Sequence, residues 1–279
     1  MSSLPCYLPM AGTPDWLAKD SSALVKRLYA MPKLAGVIPA SKLAVRSRPE
    51  MVSTGIREID VLTGGFPRGC LSEIYGPASS GRTSLLQATL VATTQRKEVC
   101  ALVDTTDAFD PLSAATAGVN FEKLLWIRCG TNASPRRKDA KKSNSEYCKV
   151  EQVLRVTDLL LQSGGFGLVA IDLSDVSWQI VRRIPLTSWF RFQRAVEPTP
   201  TVLLVFSQAP CARTCASLLL KMRGQSAVLA RQSPGKETTT HAQLLDGLHI
   251  EGELVRSRLE RKPVQSVTTA FATKAVRAG

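Results

Sequence analysis

No apolar run in these 279 residues approaches the roughly 20 that a membrane-spanning helix needs, so a helical membrane protein is excluded. The N-terminus has no apolar signal-peptide core, and secretion is not expected. Histidine is nearly missing: His241 and His249 are the two present, and neither has a partner at metal-ligand spacing. The seven cysteines (Cys6, Cys70, Cys100, Cys129, Cys148, Cys211 and Cys215) are odd in number and scattered, which reads as reduced intracellular thiols. Cys211 and Cys215, four apart, have no second ligand pair near them, so no zinc site is expected. No serine, cysteine or threonine stands in a recognisable nucleophile arrangement, which removes the covalent hydrolases. Acid is scarce as well. Lys and Arg number 36 against 23 Asp and Glu, a net charge of +13 that favours a polyanionic partner such as nucleic acid.

What remains is globular in composition, with 44% hydrophobic and 21% charged residues. Residues 1–50 form a lead-in with a helix expected over Ser22–Met31, then Pro32, Pro39 and the basic stretch Lys42–Arg48. From residue 51 to 258 short β-type runs alternate with helix-length segments, the pattern of a parallel α/β sheet. Strands are expected at Leu71–Tyr75, Val99–Asp104, Leu124–Arg128, Leu168–Asp172 and Val202–Ser207. Helices are expected at Thr83–Thr94, Pro111–Ala117, Val150–Gln162 and Leu186–Val196. Residues 130–149 read as a basic surface loop, in which Arg136, Arg137, Lys138, Lys141 and Lys142 are candidate contacts to DNA phosphates. The run Ala209–Leu218 looks helix-like and apolar, Leu244–Arg258 suits hairpin strands at a sheet edge, and 259–279 reads as a loose tail. Trp189, Phe190 and Phe192, with Arg191 and Arg194, suit base stacking or, more simply, an amphipathic helix on the sheet.

The sharpest motif is Gly76-Pro77-Ala78-Ser79-Ser80-Gly81-Arg82-Thr83-Ser84, between an expected strand and an expected helix. Glycines let successive backbone N–H groups turn inward around phosphate oxygens, and the helix N-terminus favours the anion. Gly76, Ser79, Ser80, Gly81, Arg82, Thr83 and Ser84 are therefore the candidate nucleotide-binding residues, with the Thr83 hydroxyl as a magnesium ligand. Arg82 stands where such loops carry lysine; it keeps the charge on a bulkier, planar fork.

The flanks point to a family. Ser53-Thr54-Gly55-Ile56-Arg57-Glu58-Ile59-Asp60, Gly64-Gly65-Phe66-Pro67-Arg68-Gly69 and Glu73-Ile74-Tyr75-Gly76-Pro77 resemble the opening of the RecA recombinase core. Ala101-Leu102-Val103-Asp104 running into Thr105–Pro111, then Gly118-Val119-Asn120 and Leu124-Leu125, continue the likeness. Leu168–Asp172 is similar to that family's Walker B strand, and Thr201–Gln208 to the strand ending in its nucleotide-sensing glutamine. The resemblance covers about residues 51–210, with a fainter match near 244–258. It implies a RecA-like P-loop core around a central, mostly parallel sheet, with ATP and magnesium as cofactors, Asp172 supporting the metal and Gln208 sensing nucleotide.

Three departures shape the expected function. Thr106 occupies the position where RecA carries its water-activating glutamate, so no catalytic residue is expected there and ATP turnover should be absent or very weak. Asp107 is the neighbouring carboxylate that could substitute. The segment after Gln208 is short where RecA has a longer DNA-binding loop, and the sequence leaves no room for the domain that follows RecA's core. A short RecA-like chain with altered catalytic positions resembles the ImuA family of lesion-bypass accessory proteins. That resemblance implies a bacterial, cytoplasmic SOS-response adaptor in translesion synthesis, with RecA, an ImuB-like or other error-prone polymerase subunit, and single-stranded DNA as partners. The competing readings are an active ATP-dependent recombinase or damage sensor, and an SOS division inhibitor related to SulA that acts by protein contact.

Overall fold

The computed structural model describes residues 48–129, 142–229, 245–258 and 267–274. In chain order the elements are β1 (Met51–Val52), α1 (Arg57–Thr63), β2 (Phe66–Pro67), β3 (Cys70–Tyr75), α2 (Arg82–Gln95), β4 (Cys100–Asp104), α3 (Pro111–Ala117) and β5 (Leu124–Arg128). Then come α4 (Lys142–Ser163), β6 (Leu168–Asp172), α5 (Trp178–Val181), α6 (Leu186–Val196), β7 (Val202–Ser207), β8 (Leu218–Leu229), β9 (Leu245–Ser257) and β10 (Val267–Lys274). The main sheet has the order β10-β9-β8-β3-β7-β6-β4-β5. β8, β3, β7, β6, β4 and β5 run parallel, and β9 and β10 add antiparallel strands at one side.

The central strands are apolar runs because helices cover both their faces: every residue of β4 and of β7 is buried. On one face α4, α5 and α6 pack through Val150, Val153, Ile180, Trp189, Phe192 and Val196. On the other, α1, α2 and α3 pack through Ile59, Leu85, Leu86, Leu90 and Ala114, with Ile250 and Phe271 of β9 and β10 closing the layer. Local chemistry sets the helix ends. Asp110 caps α3 by accepting from the amides of Leu112 and Ser113, Pro111 opens the helix, and Gly118 closes it in the left-handed region.

The expected strands and helices of the parallel core are present, while four segments differ. Lys142–Lys149 belongs to α4, which shortens the expected basic loop, because Tyr147 packs on the core and extends the helix's apolar stripe. Ala209–Leu218 contains a single 3-10 turn, Arg213–Cys215, in place of a helix-like run. Leu245–Ser257 is one long strand between β8 and β10, and Val267–Lys274 is a strand where a loose tail was expected. Valine and threonine favour the pleated conformation, and Phe271 is buried against the α2 face. The Ser22–Met31 helix falls outside the described residues.

Glu73, in the middle of β3, is the exception inside the core. Its fully buried carboxylate accepts hydrogen bonds from the backbone amides of Cys211 (2.5 Å) and Ala212 (3.2 Å). Burial pushes its carboxyl above the ordinary range, opposed by those two amides and by the charge of Arg256. A folded-state value raised above the unfolded one means the native state holds this proton more tightly. Its contribution is therefore fully present below the unfolded value and lost as pH rises through the folded one. Glu73→Gln keeps an acceptor and removes the charge, so urea titrations should show the variant gaining on the wild type between about pH 4.5 and neutrality. Glu73→Ala, which strands two amides, should lose about 1–3 kcal/mol. A wild type that gains on the glutamine variant as pH rises would show that attraction, not burial, dominates this carboxylate.

Candidate functional site

β3 runs into a loop whose conformation is fixed from behind. The Gly76 amide donates to the Ser207 carbonyl at 3.3 Å, anchoring the loop to the end of β7. A side chain at Gly76 would collide with the Met222 carbonyl of β8 and with Ser80. Gly81 sits at φ 85°, left-handed, and a Cβ there would strike Ile250 of β9. The chain thus turns tightly against the β8–β9 ribbon and releases α2 at Arg82. Pro77, Ala78, Ser79 and Thr83 are exposed, whereas Ser80 and Arg82 are buried.

Two buried polar atoms of this loop, Ser80 Oγ and Arg82 NH1, have no hydrogen-bond partner. Leaving such a group unsatisfied costs about 1–3 kcal/mol. Burial lowers the Arg82 guanidinium below its ordinary value, opposed by the carboxylates of Asp172 and Asp175. A phosphate oxygen at the loop would give NH1 its acceptor through a charge-assisted bond.

The opposite wall is built at the carboxyl ends of β4, β6 and β7. β7 lies between β3 and β6, so the Asp172 backbone is about 10 Å from β3 at the usual strand spacing. Asp172 accepts from the Ser174 amide at 2.9 Å, and burial, with Asp104 and Asp175 nearby, pushes its carboxyl above the ordinary range. Gln208 donates from Nε2 to the Ser174 carbonyl at 3.0 Å, joining the end of β7 to the turn after β6. Thr105 joins β4 to the same turn, its hydroxyl donating to the Asp172 carbonyl at 2.6 Å.

Thr106 is half-buried, and its amide donates to Asp104 Oδ1 at 3.2 Å. Asp104 itself escaped the sequence reading. Its carboxylate accepts from the amides of Thr106, Ala108 (3.2 Å) and Phe109 (3.0 Å) and from Trp126 Nε1 (3.2 Å), which fixes the whole 105–109 turn. The signal available was an aspartate followed by a short polar turn, a common Asx arrangement. Asp107, at φ 62°, gives both carboxylate oxygens to Arg128 of β5, whose guanidinium also stacks on Trp126 at 5.1 Å. That ion pair holds the Asp107 carboxyl below its ordinary range. Neither position offers a free base.

Beyond Gln208, the short segment to Ser217 is held by the Glu73 bonds and by Arg256, which donates to the Arg213 carbonyl. A groove of about 720 Å³ runs along the outer side of α2, lined by Ser84, Gln87, Val91, Ser113, Leu248 and Phe271 among others. On the far face of the sheet Trp189 and Phe192 are buried, as an amphipathic helix requires, but Phe190 is 44% exposed. It lines a shallow depression with Thr187, Arg191 and Arg194, in a stretch from Val176 to Val196 that has four arginines and no acid. Of the candidate DNA contacts, Arg136, Arg137, Lys138 and Lys141 lie outside the described residues, and for Lys142 only the backbone, at the start of α4, is described. Burial pushes the Cys100 thiol up to about 12 and Cys129 to about 11, so neither is a thiolate near neutral pH.

The sequence comparisons agree with this geometry. The RecA N-terminal domain family matches residues 34–134. The chain is 34% identical over 125 residues to RecA of Ectopseudomonas oleovorans, covering 44% of this chain and 31% of that protein. It is 37% identical over 125 residues to RecA of Methylobacterium sp. (strain 4-46), covering 44% and 30% respectively. The matched stretch therefore spans less than a third of the length of these curated relatives. A glycine-bounded loop opening α2 from β3, an aspartate ending β6 two strands away, and this match through the loop and β4 together make this part of the chain similar to the RecA N-terminal domain.

Proposed function

We propose that this protein is a RecA-like adaptor of the DNA-damage response, acting in error-prone translesion synthesis. On this reading it binds nucleotide without turning it over, contacts single-stranded DNA, and brings RecA together with an ImuB-like or other error-prone polymerase subunit. The observation that carries the reading is the 105–109 turn. Thr106 stands where the family resemblance places the water-activating carboxylate, and Asp107 beside it is bound by Arg128. The loop Gly76–Ser84 supports the binding half of the reading, since its orphaned donor on Arg82 suits phosphate. Thr83 and Asp172 are the residues that would hold magnesium, which when bound neutralises phosphate charge. The relationship to RecA and the net charge of +13 support a DNA partner.

Loss of a general base typically lowers a rate by about 100- to 10,000-fold. Steady-state ATP hydrolysis should therefore stay at background with or without single-stranded DNA. Robust DNA-stimulated turnover that disappears in Thr83→Ala would replace the adaptor with an active recombinase. Pull-downs with purified RecA and purified polymerase subunit should each retain the protein. Retention of neither, with capture of a cell-division protein instead, would favour a division inhibitor.

DNA binding should weaken steeply with salt, with a log–log slope of roughly −0.7 for each single-strand phosphate neutralised. Arg191→Gln together with Arg194→Gln should flatten the slope, and Phe190→Ala should weaken binding by about 1–3 kcal/mol if the ring stacks on a base. Unchanged slope and affinity in all three would remove the α6 face from the DNA contact and leave residues 136–142 as its candidate.

A further inference from the structure

The two orphaned atoms of the phosphate loop ask for different things. Ser80 Oγ belongs to a hydroxyl, which donates or accepts. Arg82 NH1 can only donate, carries a permanent charge, and belongs to a side chain just 7% exposed. A buried donor of this kind calls for an anionic acceptor and repels a cation. The acceptor is not a carboxylate of the surrounding wall: Asp172 and Asp175 act on the guanidinium through space, yet NH1 bonds to neither. The loop in front of it is suited to an anion, since it leads into the N-terminus of a 14-residue helix that has no side-chain cap.

Arginine changes what such a site needs. A lysine meets phosphate as a compact point charge, and the remaining phosphate charge is left to a metal ion. The guanidinium spreads its charge over a planar fork, makes two parallel bonds to phosphate oxygens, and is less strongly hydrated. Charge balance also matters. The guanidinium feels the carboxylates of Asp172 and Asp175 without bonding to them, so its charge is left to act on an anion held by the loop.

We propose that the Arg82 guanidinium supplies the positive charge at the terminal phosphates, so that nucleoside di- and triphosphates bind at Gly76–Ser84 whether or not magnesium is present. The proposal rests on the reading of this loop as a nucleotide site and adds to it the way charge is balanced there. It also fits a protein that does not turn nucleotide over, since binding through Arg82 needs no metal-ordered attack geometry.

The test is equilibrium binding of a fluorescent ADP and a fluorescent ATP analogue to the full chain, in EDTA and in excess magnesium. For the wild type the two dissociation constants should agree within about threefold, less than the tenfold step that corresponds to 1.4 kcal/mol. Arg82→Lys should bind more than about tenfold tighter with magnesium than in EDTA, a dependence the wild type lacks. Arg82→Met, which keeps the buried stem, should lose binding in both conditions, with circular dichroism confirming its fold. Wild-type binding that strengthens tenfold or more on adding magnesium overturns the proposal while leaving the nucleotide reading intact. No wild-type binding in either condition overturns both.

Discussion

A hydrogen bond 2.6 Å long, from the Thr105 hydroxyl to the carbonyl of Asp172, holds together the edge on which the candidate site is built. The carboxyl ends of parallel strands present carbonyls that the ladder no longer satisfies, and a buried one needs another partner. Here the Thr105 hydroxyl and, at 3.4 Å, its amide both go to the last carbonyl of β6. The carboxylate of Asp104, one residue earlier, meanwhile gathers three amides and the Trp126 indole. Together these bonds decide where residues 105–109 lie. They also consume Asp104, which is buried and near the site but is a structural acceptor with four donors.

The same accounting shows that the Gly76–Ser84 loop and the 105–109 turn are held by separate contacts. The phosphate loop is shaped by what lies behind and beside it: Met222 against Gly76, Ile250 against Gly81, and the Ser207 carbonyl on the Gly76 amide. None of these contacts involves residues 105–109. A change at 106 therefore removes a carboxylate without disturbing the cradle, whereas a change at Gly81 would push directly on the β9 side chain that closes the core.

Much of the core was legible because the physics is local. A strand buried on both faces must be an apolar run, so β4, β6 and β7 stood out, and Pro111 with Gly118 bracketed α3. The turn at Gly76–Gly81 was legible for a similar reason, as its glycines are demanded by close approach and backbone sign. The misses share a different cause. α4 begins at Lys142 because Tyr147 finds a tertiary partner, and β10 exists because Phe271 is buried and β9 offers a ladder. Neither fact is contained in the polar segments themselves. Asp104 was overlooked because its four donors converge from a turn and from a neighbouring strand, and Asp107 kept its standing as a substitute base because Arg128 is distant in sequence.

The segment after Gln208 is tied down from two sides. Gln208 reaches the Ser174 carbonyl and so still registers the turn that carries Asp172. A change felt at Gln208 would have to displace Cys211 and Ala212, whose amides end on a carboxylate buried in the centre of β3. Separating them would leave that carboxylate without its donors in a low-dielectric interior, which is costly however small the movement. Arg256 adds a second tie from β9 through the Arg213 carbonyl. Gln208 thus stands beside a segment with two anchors within six residues of it, one buried at the Glu73 carboxylate and one exposed at the Arg213 carbonyl.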